Sequence, residues 1–237
     1  MIPKIINYCW FGGSELPLEV RNNIDNWKKI CPSFQIKRWD ESNYNVKKNS
    51  YIEKMYEDGN YAFLTDYVRL DIIYNYGGVY LDTDVKLIKS LDEIVSKGDF
   101  MAFEETGRVN TGIGFGAEPG NEIIKKNMDY YEQDDLNGQV KVEICVKVTT
   151  SLLISYGLDY EKNVQQRLSK IIVYPSDYFS PIKMGTSKIN ITDNTIGIHE
   201  FAASWYKGNK LIKMIKYRLI PLKKFIKVDI LKKKLFE

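Results

Sequence analysis

The sequence predicts an α/β domain with a mainly parallel central sheet flanked by helices, and three observations predict it. Short apolar segments suited to buried strands alternate along the chain with segments whose apolar residues recur at helical spacing. In the middle of that alternation, residues 62–85 read as a helix, the pair Gly77-Gly78, a short apolar strand and then Asp82-Thr83-Asp84. The chain of 237 residues is 44% hydrophobic and has no Pro/Gly/Ser-rich linker, so it can bury one large core. Such alternation places ligand sites at the C-terminal ends of the strands.

Taken in order, Ile5 to Trp10 reads as a strand, Leu18 to Ile30 as a helix, Phe34 to Trp39 as a strand and Val46 to Tyr56 as a helix. The amphipathic stretch from Ala62 to Tyr76 (AFLTDYVRLDIIYNY) is a helix stopped by the glycine pair, and Val79 to Leu81 follows as a strand. Phe100 to Glu104 and Gly112 to Phe115 read as strands, with helices at Glu122 to Tyr131 and about Ile144 to Tyr156. No internal repeat is present in the sequence.

The acids Asp82 and Asp84 carry the chemistry. Carboxylates two residues apart at a strand end share a face, and a bend there lets both reach one ion. Oxygen ligands favour Mg²⁺ or Mn²⁺ over zinc. Such an ion keeps positions open for phosphate oxygens, so an exposed pair of this kind suits a leaving diphosphate. The plainer alternative is a turn with two solvated aspartates, because the tripeptide alone is common.

The surrounding residues bear on that choice. Leu64 to Val85 (LTDYVRLDIIYNYGGVYLDTDV) resembles the sugar-binding region of the Asp-x-Asp glycosyltransferases related to initiating mannosyltransferases, capsular polysaccharide transferases and, more distantly, the glucosylating clostridial toxins. The match includes Asp66 and Arg69 on the helix, the glycine stop, Tyr80 on the strand, and Asp82 and Asp84. Ile2 to Gly13 (IPKIINYCWFGG) is similar to the family's opening strand and loop, with Asn7 where a histidine is common. Ile198 to Trp205 (IHEFAASW) resembles its closing segment, with Glu200 in place of a second histidine, as in the toxin branch. The resemblance spans about residues 2 to 206 and implies a GT-A-type nucleotide-sugar fold.

It also implies roles. Asp66 and Arg69 would contact the donor sugar's hydroxyls; the lesser alternative, at i and i+3, is a surface ion pair. Trp10 would stack on the nucleotide base, and Phe11, Gly12 and Gly13 would let backbone approach it; a core tryptophan is the alternative. Asn110, in Asn110 to Phe115, would reach the donor sugar, or else lie in an ordinary hairpin turn. Glu104 and Glu105 are either acids near the reaction centre or an exposed strand end. His199 is the one histidine of the chain, so no two-histidine zinc site or facial triad can form. Either His199 or Glu200 could complete the metal shell of Asp82 and Asp84, and the toxin branch favours Glu200. Ser204 and Trp205 would offer a hydroxyl and an indole N–H to the leaving diphosphate, against the alternative of a packing pair.

Cys9, Cys31 and Cys145 are odd in number and unpaired in spacing, which suits a reducing compartment. With no leader and no apolar run near the length of a span, the expected location is cytoplasmic. Residues 207–237 hold eleven Lys or Arg against two acids, a net of 11 − 2 = +9, leaving 3 − 9 = −6 for residues 1–206. Apolar positions in that tail, among them Leu211, Met214, Ile215, Leu219, Leu222, Phe225 and Ile226, fall at roughly helical spacing around Pro221. The expected organisation is a catalytic domain over 1–206 and a basic amphipathic extension over 207–237, resting on the inner face of an anionic membrane or packed on the domain. No nucleic-acid-binding motif accompanies the charge, so no nucleic-acid partner is expected.

The reading is a metal-dependent glycosyltransferase using Mn²⁺ or Mg²⁺. It would move a hexose from a nucleotide donor, a UDP-sugar, onto a carbohydrate or lipid-linked saccharide acceptor in capsule or lipopolysaccharide synthesis. Retention of anomeric configuration is implied by the resemblance alone. Asp82, Asp84 and Arg69 would carry the reaction. One rival is a haloacid-dehalogenase-type phosphohydrolase with Asp82 as nucleophile, which needs an acid pair after a second apolar strand; Asp134-Asp135 instead follows the polar Tyr130-Tyr131-Glu132-Gln133. The other is a sugar-binding module without turnover.

Overall fold

A computed structural model describes residues 1–133, 142–182 and 189–201. The expected boundary at residue 207, Ser204, Trp205, Asp134 and Asp135 lie outside them. In chain order the elements are β1 (Ile5–Cys9), α1 (Leu18–Ile30), β2 (Gln35–Trp39), α2 (Ser50–Glu57), α3 (Tyr61–Tyr76) and β3 (Gly78–Tyr80). Then come β4 (Val85–Leu87), α4 (Asp92–Ser96), β5 (Phe100–Glu105), β6 (Arg108–Val109), β7 (Phe115–Ala117) and α5 (Glu122–Tyr131). The last are α6 (Cys145–Ser155), β8 (Gln166–Leu168), β9 (Ile171–Tyr174), a 3₁₀ turn at Ser176–Tyr178 and β10 (Gly197–His199).

The main sheet runs β2-β1-β3-β7-β5-β9-β8, with β6 paired to β5. β1 pairs in parallel with β2 and β3, β7 is antiparallel to both β3 and β5, and β5 pairs in parallel with β9. Strands β2, β1, β3, β5 and β9 therefore point the same way, and β7 and the edge strand β8 oppose them. The expected mainly parallel α/β sheet is present. β4 and β10 form a separate antiparallel ribbon.

Alternation along β5 divides the core between the two faces of the sheet. Phe100 and Ala102 pack on the side that α1 and α4 cover with Val20, Ile24, Trp27, Ile94 and Val95. Met101 and Phe103 pack on the side covered by α2, α3, α5 and α6. A three-layer arrangement follows from burying both faces.

Two helices begin where asparagine satisfies their free N–H groups. The Asn49 side chain accepts from the N–H of Ile52, and Asn121 accepts from those of Ile123 and Ile124. The first cap explains why α2 starts at Ser50 and not at Val46. Helix α3 is more enclosed than an amphipathic helix with one apolar face: residues 66–73 are buried without a break, because α2 and α5 cover it on one side and the sheet on the other. Gly112 to Gly114 is likewise loop, and the strand starts only at Phe115. The chain turns there because it wraps a side chain of the site. The short strands β4, β6, β8 and β10 have too few residues to show a period, and β9 is a continuous apolar run buried on both faces.

The turn between α3 and β3 can be made only by glycine. Gly77 and Gly78 have φ of 67° and 98°, and a Cβ on Gly78 would lie 2.7 Å from the Ile5 carbonyl oxygen and 2.9 Å from Asn7 Nδ2. Asn7 itself is buried, donates to the carbonyl of Gly77 at 3.3 Å and accepts from Trp39 Nε1 at 2.9 Å. Gly78→Ala is expected to lower stability by about 2 kcal/mol in urea unfolding. A loss under about 0.5 kcal/mol would show that the turn is not under this constraint.

Candidate active site

The Asp-x-Asp segment leaves the C-terminal end of β3 and is held from three directions. Its Asp82 N–H donates to the Gly112 carbonyl at 2.8 Å, and its Asp82 carbonyl accepts from the Val85 N–H at 3.0 Å. From α1, Asn23 Nδ2 donates to the Thr83 carbonyl at 3.0 Å, Trp27 Nε1 donates to the Val85 carbonyl at 2.8 Å, and Asn26 Oδ1 accepts from the Leu87 N–H at 2.9 Å. These α1 residues were not singled out from sequence. The available signal was Asn23, which occupies a place in the inward row Val20, Asn23, Ile24, Trp27 where an apolar residue is otherwise expected.

Beneath the segment, Arg69 is 4% exposed and binds two acids. Its Nη2 lies 2.9 Å from Asp66 Oδ1 and 3.6 Å from Asp82 Oδ1, and its Nε donates to the Thr65 carbonyl at 2.8 Å. The guanidinium lies 5.2 Å from the centre of the Tyr80 ring, whose hydroxyl donates to Asp82 Oδ1 at 3.1 Å. This is a buried pair, not a surface one. Removing either partner would leave an uncompensated charge at a cost of about 3–5 kcal/mol. Burial pushes Asp66 up to about 6, with the Arg69 charge opposing that rise.

At the open side, Asp82, Asp84 and His199 form the group that can hold a cation, with ligand atoms all within 4.8 Å of one another. β10 pairs His199 with Val85, and the backbone of Glu200 donates to the Asp84 carbonyl at 2.9 Å. His199 Nε2 thereby comes within 3.2 Å of Asp84 Oδ1. Burial works against a charged imidazole, but Asp84, Glu104 and Asp82 outweigh it and raise His199 to about 9. Two carboxylates and one imidazole are a donor set that would suit a divalent ion, which would be held by His199 in its neutral form. Glu200, the other candidate ligand, is exposed and stands outside the group.

The far wall comes from β6 and α6. Asn110 Oδ1 accepts from the Gly112 N–H at 2.7 Å and lies 3.8 Å from Cys145 Sγ, while the Cys145 N–H donates to Asp66 Oδ2 at 3.3 Å. Contacts thus close a ring from Asp66 through Arg69, Asp82, Gly112, Asn110 and Cys145 back to Asp66. Burial and Asp66 raise Cys145, keeping it a neutral thiol. Glu104 is buried and Glu105 partly so, which removes the exposed strand end as an account of either.

The opening loop follows β1, the strand beside β3, so it emerges at the same end of the sheet. Trp10 is half-buried, its Nε1 donating to the Ser14 carbonyl at 2.8 Å. Phe11 is buried against Tyr44, ring centres 6.1 Å apart, so its side chain serves the core. Gly12 is exposed with φ of 92°, and its N–H donates to the Glu41 carboxylate at 2.6 Å.

Gly112 is where the ring has no room. A Cβ there would lie 2.1 Å from Asp82 Oδ2 and 2.7 Å from Arg69 Nη1. Gly112→Ala is therefore expected to displace Asp82 and reduce turnover by about 10²-fold while the protein remains folded by circular dichroism. Turnover within a few-fold of the parent would show that Asp82 does not need that position.

The family model for the glycosyltransferase sugar-binding region containing DXD motif matches residues 17–101, a span that runs from α1 into β5 and includes Asp66, Arg69, Asp82 and Asp84. An uncharacterized glycosyltransferase of Acanthamoeba polyphaga mimivirus is 29% identical over 230 residues, covering 90% of this chain and 88% of the relative. Among solved structures, the PaToxG glycosyltransferase aligns with a TM-score of 0.49 at 18% identity, over 64% of this chain and 69% of that one. A glycosyltransferase involved in the glycosylation of the major capsid of PBCV-1 aligns with a TM-score of 0.49 at 11% identity, over 91% and 98%. With the DXD acids held beside a buried Asp–Arg pair, the chain is similar over residues 17–101 to the glycosyltransferases whose sugar-binding region contains the DXD motif.

Proposed function

We propose that this chain is a metal-dependent glycosyltransferase that takes a UDP-sugar as donor and transfers its hexose to a saccharide acceptor with retention. The observation that carries the reading is the junction of two sites at Asp82. One carboxylate belongs both to the group of Asp82, Asp84 and His199 and to the buried network of Arg69 and Asp66. A nucleotide sugar has two ends to match these, an anionic diphosphate and a polyhydroxylated ring.

At the diphosphate end, Asp84 and His199 would hold Mn²⁺ or Mg²⁺, with Asp82 doing so directly or through water. Such an ion, when bound, supplies charge stabilisation to the departing nucleoside diphosphate. At the sugar end, an ionised Asp66 accepts from hydroxyls and Arg69 keeps it oriented and charge-balanced. Trp10 offers an aromatic surface to the base. Retention would follow, by resemblance, from attack on one face with the leaving phosphate taking the acceptor's proton, and the buried neutral thiol of Cys145 is not suited to act as a nucleophile. Ser204 and Trp205 remain, by resemblance, donors to the diphosphate.

The acceptor is proposed to be a carbohydrate or lipid-linked saccharide of a surface polysaccharide. Among the described residues no helix is long and apolar enough to cross a membrane. The +9 charge of residues 207–237 supports contact with an anionic membrane surface.

Two measurements test the proposal. Nucleoside diphosphate release should be seen with one member of a UDP- and GDP-sugar panel in Mn²⁺, disappear with chelator and be lost in Asp84→Asn with the fold unchanged. Full activity of that variant would remove the metal assignment. Deleting residues 207–237 should weaken sedimentation with phosphatidylserine vesicles, and unchanged sedimentation would remove the membrane role.

A further inference from the structure

We infer that Glu104 is a positioning residue of the donor site, acting through Asn110 to fix which hydrogen-bonding group is turned toward the sugar; the inference rests on the donor reading above. Glu104 and Asn110 lie beyond the matched span of residues 17–101, and neither is held there by packing alone. Both are buried, 5% and 7% exposed, and Asn110 Nδ2 donates to Glu104 Oε2 at 3.2 Å.

The strand geometry aims Glu104 at this contact. In the β5–β6 pair, Phe103 faces Val109 and Glu105 faces Arg108, so Glu104 is the extra residue of a β-bulge. A bulge bends the strand and re-aims a side chain, and bulges recur beside functional sites. Here it turns the carboxylate toward Asn110, within electrostatic reach of His199 and 4.0 Å from Arg108 Nε. An acid this deep needs partners of both kinds, a donor hydrogen bond and a positive charge.

The amide is then held at both ends. Its Nδ2 faces a carboxylate, which only accepts, and its Oδ1 faces the Gly112 N–H, which only donates. Turning the amide over would set oxygen against oxygen and N–H against N–H. Asn110 can therefore offer the second N–H of Nδ2, so it donates to a sugar oxygen, where Asp66 across the ring accepts from a sugar hydroxyl. The pair has opposite polarity, and Glu104 fixes the donor end of Asn110 as the Gly112 N–H fixes its acceptor end. Glu104 itself is too enclosed to need contact with the donor.

A double-mutant cycle distinguishes this from a structural role, read as dissociation constants for UDP and for a UDP-sugar. Glu104→Leu should weaken the nucleotide sugar by about tenfold and leave UDP unchanged, since Asn110 would meet only the sugar. In an Asn110→Ala background the same substitution should add no further loss, and Glu104→Gln, which keeps an accepting oxygen, should recover most of the affinity. Additive losses, or equal weakening of UDP, would overturn the inference. If the parent protein binds no nucleotide sugar, the donor reading falls and takes this role with it; binding by the parent with an additive cycle removes the role of Glu104 alone.

Discussion

The site is organised around a charge that cannot be left unpaired. Arg69 lies inside the protein on a helix buried on most sides, where an isolated guanidinium would be strongly disfavoured. Burial works against its charge, yet Asp82 and Asp66 outweigh it and hold Arg69 well above its ordinary value. The arginine thereby fixes one acid from its own helix and another from the end of β3. A cation site that needs Asp82 in one place inherits this rigidity.

Other parts of the architecture follow as conditions for keeping Asp82 there. The glycine turn lets β3 begin directly after α3, so helix and strand residues meet within a few ångströms. Gly112 lets the loop that leads into β7, the strand beside β3, approach the same carboxylate. Helix α1 donates from Asn23 and Trp27 to carbonyls on either side of Asp84, which satisfies backbone that a catalytic loop would otherwise bury without partners. The ribbon of β4 and β10 brings in a residue 115 positions farther along the chain, since 199 − 84 = 115.

The division of polarity around Asp82 is what the two proposed roles of the acid pair rest on. Asp82 is shared: its Oδ1 takes the Tyr80 hydroxyl and faces Arg69, while the carboxylate also belongs to the group with Asp84 and His199. On one side the surroundings are buried and charge-balanced, which suits hydroxyl recognition; on the other, Asp82 and Asp84 are partly exposed. Electrostatic preorganisation of this sort is laid down on folding and costs no rearrangement during reaction.

By itself the sequence determined what was local. Helical spacing marked α1 from Leu18 to Ile30 and α5 from Glu122 to Tyr131 at their observed ends, and the glycine pair marked the stop before β3. Asp66, Arg69, Tyr80, Asp82 and Asp84 fall within 19 consecutive residues, 84 − 66 + 1, so one continuous motif could display them. Tertiary structure alone decided what came from elsewhere. That His199 and not Glu200 turns toward the acids depends on the register of β10 against β4, and a shift of one residue there would exchange the two. The roles of Asn23, Gly112 and Cys145 arise from contacts across 60, 30 and 79 positions, respectively 83 − 23, 112 − 82 and 145 − 66. Periodicity is set by a residue's neighbours along the chain, whereas these contacts are set by the packing of a sheet whose strand order differs from its sequence order.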